Sequence, residues 1–167
     1  DRYKNFMKEK EIRNDIIESV NMNYNIDNIL KIYKKTITLN KLISKDIGKD
    51  LMFSYKRASN IIFNELKNNK IELTGSADPG LFKNEFEKTL YKKIHEIKKE
   101  FTNIGRDEDY EGILKTLSLA KKEVNDFFDN VIVNDQDELI KKNRLELLKM
   151  LCKTFDNYLN FSKVESL

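Results

Sequence analysis

Proline occurs once and glycine five times in 167 residues. All-β architectures need turn residues every few positions, and collagen-like or proline-rich chains need far more of both, so these classes are excluded. A single cysteine rules out a disulfide framework and suits a reducing compartment. With one histidine and one cysteine there are too few ligands for zinc fingers and other His/Cys metal cages. There is no run of eighteen apolar residues, so no membrane span is expected. The N-terminus, Asp1-Arg2-Tyr3-Lys4, has neither an initiator methionine nor an apolar signal segment. The expectation is therefore a part of a larger protein. Catalytic signatures are missing too: G-x-x-x-x-G-K-[ST], H-E-x-x-H and G-x-S-x-G are all absent. His95 sits on a helix rich in Lys and Glu and reads as a surface or half-buried residue. Cys152 lies in a Leu-rich segment and reads as a small core residue. Carboxylate pairs such as Glu85 and Glu87 read as solvated charges on a charged helix. No catalytic residue and no metal ligand is assigned.

What the chain has is charge and helical periodicity. Charged residues make up 35%, above the usual quarter, and apolar residues 40%. Lys and Arg (31) nearly balance Asp and Glu (28), leaving a net charge of +3. That is too mild to establish a nucleic-acid partner, and permits one if the cations cluster on a face. The stretch Arg2 to Val20 predicts one or two short helices, and Asn21–Asn25 a turn. Apolar residues then recur at Ile26, Ile29, Leu30, Tyr33 and Ile37, and after a break around Gly48 at Leu51, Tyr55, Ala58, Ile62 and Leu66. Asn68 to Gly80 is the clearest loop. Asp78-Pro79 suggests the start of a helix carrying Phe82, Phe86, Leu90, Ile94, Ile97 and Phe101. Gly105 ends it, and Asp107, Glu108 and Asp109 place acids at the next start. One helix is expected through Ile113, Leu117, Ala120, Val124, Phe127 and Phe128. Val131-Ile132-Val133 is extended, and Asp135 to Glu138 has the form of a capping box with Asp135 as the cap. A last helix runs from about Glu138 toward Phe161. The predicted fold is an all-α bundle of about six helices.

Two polar clusters stand out. Lys56, Arg57 and Asn60 fall on the face of their helix opposite Tyr55, Ala58 and Ile62, with Phe53 on the polar side. A ring beside two cations and an amide suits RNA, because bases stack on rings and cations take phosphates. The alternative is a solvated face with one stray Phe. The second cluster, Asn143 and Arg144, interrupts the apolar stripe of the last helix between Ile140 and Leu147. A buried Arg requires a partner, which Asp129 or Asp135 could supply as a clamp on the Val131–Asp135 connection. Alternatively, that end of the helix projects for recognition. Both readings stay open on the sequence.

The same segments carry a family resemblance. Phe127-Phe128-Asp129-Asn130-Val131-Ile132-Val133 followed by Asn143-Arg144-Leu145-Glu146-Leu147-Leu148 resembles the F-F-D-x-V-x-V and N-R-L-x-L-L patterns at the C-terminus of the β subunit of bacterial glycyl-tRNA synthetases. Tyr55-Lys56-Arg57 with Asn60-Ile61 resembles that family's Y-K-R-x-x-N-I segment, and Asp78-Pro79-Gly80-Leu81-Phe82 with Glu87-Lys88-Thr89-Leu90-Tyr91 its D-P-x-L-F and E-K-x-L-Y segments. Asn134 and the ending Asn157-Tyr158-Leu159-Asn160-Phe161 depart from the pattern. The resemblance implies a helical anticodon-binding domain, related to that of arginyl-tRNA synthetase, over residues 23–167, preceded by a helical lead-in over 1–22. It implies tRNA(Gly) and a catalytic α subunit as partners and a cytoplasmic location. ATP and magnesium are implied for the whole ligase and no cofactor for this fragment. Glycine anticodons share two cytosines, and Asn130, Asn143, Arg144 and Asp129 include groups that match a cytosine's pairing edge. Lys56, Arg57, Asn60, Asn130, Asn143 and Arg144 are the expected nucleic-acid contacts. The rival expectation is a helical protein-interaction module joining the β subunit to its partner.

Overall fold

The computed structural model describes residues 2–20, 29–68, 71–104 and 109–165. Among them the chain forms eight α-helices and no strand: α1 (Arg2–Glu9), α2 (Asn14–Val20), α3 (Ile29–Ile43), α4 (Asp46–Asn68), α5 (Glu85–Ile104), α6 (Tyr110–Ser118), α7 (Lys121–Asn130) and α8 (Glu138–Asp156). The expected turn at Asn21–Asn25, the helix start at Ile26, and the signals at Gly105, Asp107 and Glu108 lie outside the described residues. The long stripes are buried over their middles, while Leu66 near the end of α4 and Ile29 and Leu30 at the start of α3 are exposed. Leu51, Tyr55, Ala58 and Ile62 of α4 and Leu90, Ile94 and Ile97 of α5 are buried, because residues three and four apart share a helix face. Helix α8 is central. It packs on α4 and α5, and from Leu145 to Leu148 every residue is buried. Around it, α6 packs on α3, α4 and α5, and α7 on α4 and α5.

Several expected boundaries differ. The break between α3 and α4 is Ser44-Lys45, and Gly48 lies inside the first turns of α4. A β-carbon at Gly48 would collide with the Ile43 carbonyl, so glycine there allows the tight corner. Asp78 caps only a 3₁₀ turn, Pro79–Leu81, by accepting from the Gly80 N–H at 2.8 Å. Helix α5 starts at Glu85 behind a different cap. Asn84 Oδ1 accepts from the Phe86 and Glu87 amides, and Glu87 Oε2 reaches back to the Asn84 amide at 3.0 Å. This reciprocal pairing is a capping box. The single helix expected through Phe127 is two. The Leu119 and Ala120 amides bond three residues back, which closes α6, and Ala120, fully buried, opens α7. The cap of α8 is Asp137, which accepts from the Leu139 and Ile140 amides. Asp135 is diverted to the Asp137 amide and to Arg144.

Helix α8 ends at Asp156, short of Phe161. The following segment turns back onto the core. Tyr158 and Leu159 are buried, and the Phe161 ring packs 5.7 Å from that of Tyr55 and 5.6 Å from that of Phe155. The Asn160 amide donates to the Ser19 carbonyl of α2 at 2.9 Å. Asp15 holds the same junction. It takes two bonds from Arg13, at 3.0 and 2.6 Å, and one from the Glu165 amide at 2.8 Å.

That arrangement has a pH signature. Burial pushes the Asp15 carboxyl up, but the Arg13 and Glu165 bonds outweigh it and hold the group below the usual carboxylate range. The native state therefore binds the proton more weakly than the unfolded chain does. Its stabilisation is complete above the ordinary Asp pKa of about 4 and is lost as pH falls below it. Asp15→Asn should lower stability at pH 7 by about 1–2 kcal/mol. In denaturant titrations at stepped pH the gap to the unaltered chain should close as pH falls below about 4. A gap independent of pH would mean that Asp15 acts through packing alone.

Candidate nucleic-acid interface

The exposed face of α4 arises from its two-sided pattern. One side is anchored by Tyr55, whose hydroxyl donates to Asp156 Oδ2 at 3.1 Å. The other carries Phe53, 42% exposed, with Lys56 and Arg57 half-buried and Asn60 exposed. Arg57 is held by its surroundings. Its guanidinium carbon lies 4.4 Å from the Phe128 ring centroid and 5.7 Å from that of Phe53, and Nη2 is 3.7 Å from Asp129. A guanidinium set against two rings is oriented before any ligand arrives, and its planar face can stack on a base. Beside it a groove of about 390 Å³ runs from Gly48 and Lys49 past Met52 and Phe53 to Lys56 and Arg57. Three cations, one ring and an apolar floor suit a base with its phosphates, and Glu165 adds a single carboxylate to the lining.

Asn130, at the end of α7, is exposed, and its amide donates to the Asp126 carbonyl at 2.8 Å. Asp129 stands next to it and reaches back to Arg57. The elements that hold Lys56, Arg57 and Asn60 therefore meet those that hold Asn130, as α4 packs on α7.

Asn143 and Arg144 belong to a different system. Both are buried, at 6% exposure. Arg144 Nε donates to Glu87 Oε1 at 2.7 Å, and Nη1 donates to Asp135 Oδ2 at 2.6 Å and to the Ile132 carbonyl at 2.8 Å. The Asn143 amide pairs with the backbone of Asp78, accepting from its N–H at 2.7 Å and donating to its carbonyl at 2.9 Å. Their polar groups hold the fold, and the geometry offers no support for the expected contacts of these two residues with a base. The clamp arrangement is the one observed. Asp135 is one partner, and its carboxyl is held below the usual range by the Asp137 amide and by Arg144. Asp129 is not a partner. The second partner is Glu87, fully buried rather than a solvated charge.

Two further residues went unmarked in the sequence. Glu146, 5% exposed, accepts from the amides of Thr74, Gly75 and Ser76 at 3.0, 2.6 and 3.3 Å, and from the Thr74 hydroxyl. Lys141 pairs with Glu65 at 2.9 Å, tying α8 to α4. The available signal was spacing. Asn143 and Glu146 are three apart and share one face, and Asn84 with Glu87 forms a capping-box pattern that predicts an inward-turned Glu. No group of three or more His, Cys, Asp or Glu among the described residues is placed to hold a metal. No helix among them is long and apolar enough to cross a membrane.

The fold is an all-α bundle presenting cations and rings along one helix, and the DALR anticodon binding domain matches it over residues 51–167. The chain belongs to that family. It is 37% identical over 137 residues to the glycine–tRNA ligase beta subunit of Rickettsia prowazekii, covering 82% of this chain and 20% of that protein. It is 38% identical over the same length to the corresponding subunit of Rickettsia typhi, and 36% identical over 138 residues to that of Rickettsia canadensis. The chain thus spans about a fifth of the length of these curated relatives.

Proposed function

We propose that this chain is the anticodon-binding domain of a glycine–tRNA ligase β subunit and holds tRNA(Gly) while aminoacylation proceeds elsewhere in the enzyme. Family membership and the relatives support the reading. The observation that carries it is the α4 face, where Arg57 is set between Phe53 and Phe128 beside the groove edged by Lys49 and Lys56. Lys56, Arg57, Asn60 and Asn130 are the contacts proposed. Their task is positioning, with no bond made or broken at this site. In this reading the catalytic α subunit is the partner, ATP and magnesium serve the ligase outside this fragment, and the assembly works in the cytoplasm. The match to an anticodon-binding family favours this over a protein-interaction module.

The test is the salt dependence of tRNA(Gly) binding. Lys56→Ala should weaken binding and reduce the slope of log K against log salt by about 0.7 to 0.9, the share of one phosphate contact. Stability should change by no more than about 0.5 kcal/mol, because the side chain points away from the apolar stripe. An unchanged slope together with a lowered melting temperature would make this face structural.

A further inference from the structure

A second cavity, of about 460 Å³, lies where the C-terminal parts of α5 and α8 meet above Ile113 of α6. Its walls are Lys98, Phe101 and Thr102 from α5, with Thr154, Asn157 and Tyr158 from the end of α8 and just beyond it. None of the lining residues is acidic. Its volume is in the usual range for small-molecule sites. The wall chemistry is specific: two aromatic rings, one ammonium, one amide and three hydroxyls.

Two groups in that wall are incompletely satisfied. Tyr158 is 7% exposed, and its buried hydroxyl has no hydrogen-bond partner among the described residues. Such groups are rare in folded proteins, and this one lies behind the cavity wall formed by its own ring. Lys98 is half-buried, and its ammonium is pushed below the usual lysine range by burial and by the nearby charge of Lys153. An anion would relieve both effects. The same sign extends past the cavity wall, where the Lys35 ammonium lies 4.8 Å from the Tyr158 ring centroid and 5.6 Å from that of Tyr110.

We propose that this cavity is a second RNA subsite, which takes one unstacked nucleotide with its base against Phe101 and Tyr158 and its phosphate on Lys98. The proposal rests on the RNA-binding reading above and extends it to a surface away from the α4 groove. A ring pair selects a flat π-system, the amide of Asn157 and the hydroxyl of Thr102 can meet polar edges, and an unopposed cation selects phosphate. Two anchor points on one bundle would hold a stem-loop in a single orientation.

The experiment compares tRNA(Gly) affinity for the unaltered chain and for Lys98→Gln, Phe101→Leu and Arg57→Ala, with melting curves for each. Phe101→Leu keeps apolar bulk and removes the stacking face. It should weaken binding by roughly fivefold to a hundredfold, the range for loss of one base stack. Lys98→Gln, at a partly exposed position that leaves the core intact, should lower the salt slope by about 0.7. Ultraviolet cross-linking of 5-iodouridine-substituted tRNA(Gly) to the unaltered chain should mark the peptide holding Phe101 or Tyr158. Unchanged affinity and slope for both cavity variants, with Arg57→Ala still impaired and cross-links confined to α4, would overturn the second subsite and leave the proposed function standing. Failure of the unaltered chain to bind tRNA(Gly) at all would overturn both.

Discussion

Arg144→Ala is expected to remove about 3–5 kcal/mol from the free energy of unfolding, the usual consequence of breaking one side of a buried ion pair. The reason is what remains. Glu87 is fully buried, and its Oε1 would lose the 2.7 Å bond from Arg144 while the charge stays inside. The amides of Lys83 and Asn84 still donate to Oε2, at 2.6 and 3.0 Å, so the capping box of α5 is retained but faces an uncompensated carboxylate. The Ile132 carbonyl and Asp135 lose their donor at the same time, which frees the connection between α7 and α8. Arg144→Lys should recover little, because one ammonium cannot reproduce a planar fork that bonds Glu87 through Nε and Asp135 through Nη1. Adding Glu87→Gln to Arg144→Ala should restore part of the loss, since the pair is coupled and the neutral amide is cheaper to bury. Denaturant unfolding followed by circular dichroism measures all three. A loss below about 1 kcal/mol for Arg144→Ala would contradict the clamp. If the folded fraction of that variant also lost its discrimination between cytosine and other bases, direct recognition would regain its place.

The second large effect is expected at Glu146. Its carboxylate gathers three consecutive backbone N–H groups of the segment returning from α4 toward α5, and Gly75 meets it with φ of +76°, a left-handed conformation open to glycine. Hydrogen bonds to a charged group are worth about 1.5–3 kcal/mol each, and they are not additive within one site. Glu146→Ala should therefore cost about 2–4 kcal/mol and strip hydrogen-exchange protection from the Thr74, Gly75 and Ser76 amides. Glu146→Gln keeps one acceptor oxygen and should fall between the two. Amides at 74–76 that stay protected in Glu146→Ala would show that the segment is held by other contacts, such as the 2.7 Å bond from Lys153 to the Thr74 carbonyl.

Both residues also explain how the site is built. Asn143 and Glu146 share one side of α8 and Arg144 lies about 100° round from Asn143; together they form a polar seam that anchors the 74–78 segment, the start of α5 and the α7–α8 connection. These contacts help fix α5 and α7 around α8. Through Phe128 and Asp129, α7 in turn orients Arg57 on α4. The exposed α4 face and the seam are separate structures, joined by helices.

Short-range order was legible in the residues alone. The stripes of α4 and α5, the loop over residues 71–78 and the start of α8 at Glu138 all follow from spacing and from side chains within one turn, because an amphipathic face and a cap are completed locally. The polar face of α4, with Phe53 on the side of Lys56 and Arg57, follows from the same 100° arithmetic. Tertiary contacts decided the rest. The α6–α7 bend carries no proline or glycine at Leu119-Ala120, and it forms where Leu117, Ala120 and Val124 all reach full burial. The capping-box pattern pointed to Asp135, but Arg144 engages that carboxylate and Asp137 caps the helix instead. That a charge at position 144 needs a partner could be read from its place in an apolar stripe. That the partner is Glu87, 57 residues earlier, could not, because a buried ion pair is chosen by which helix ends the packed core brings together.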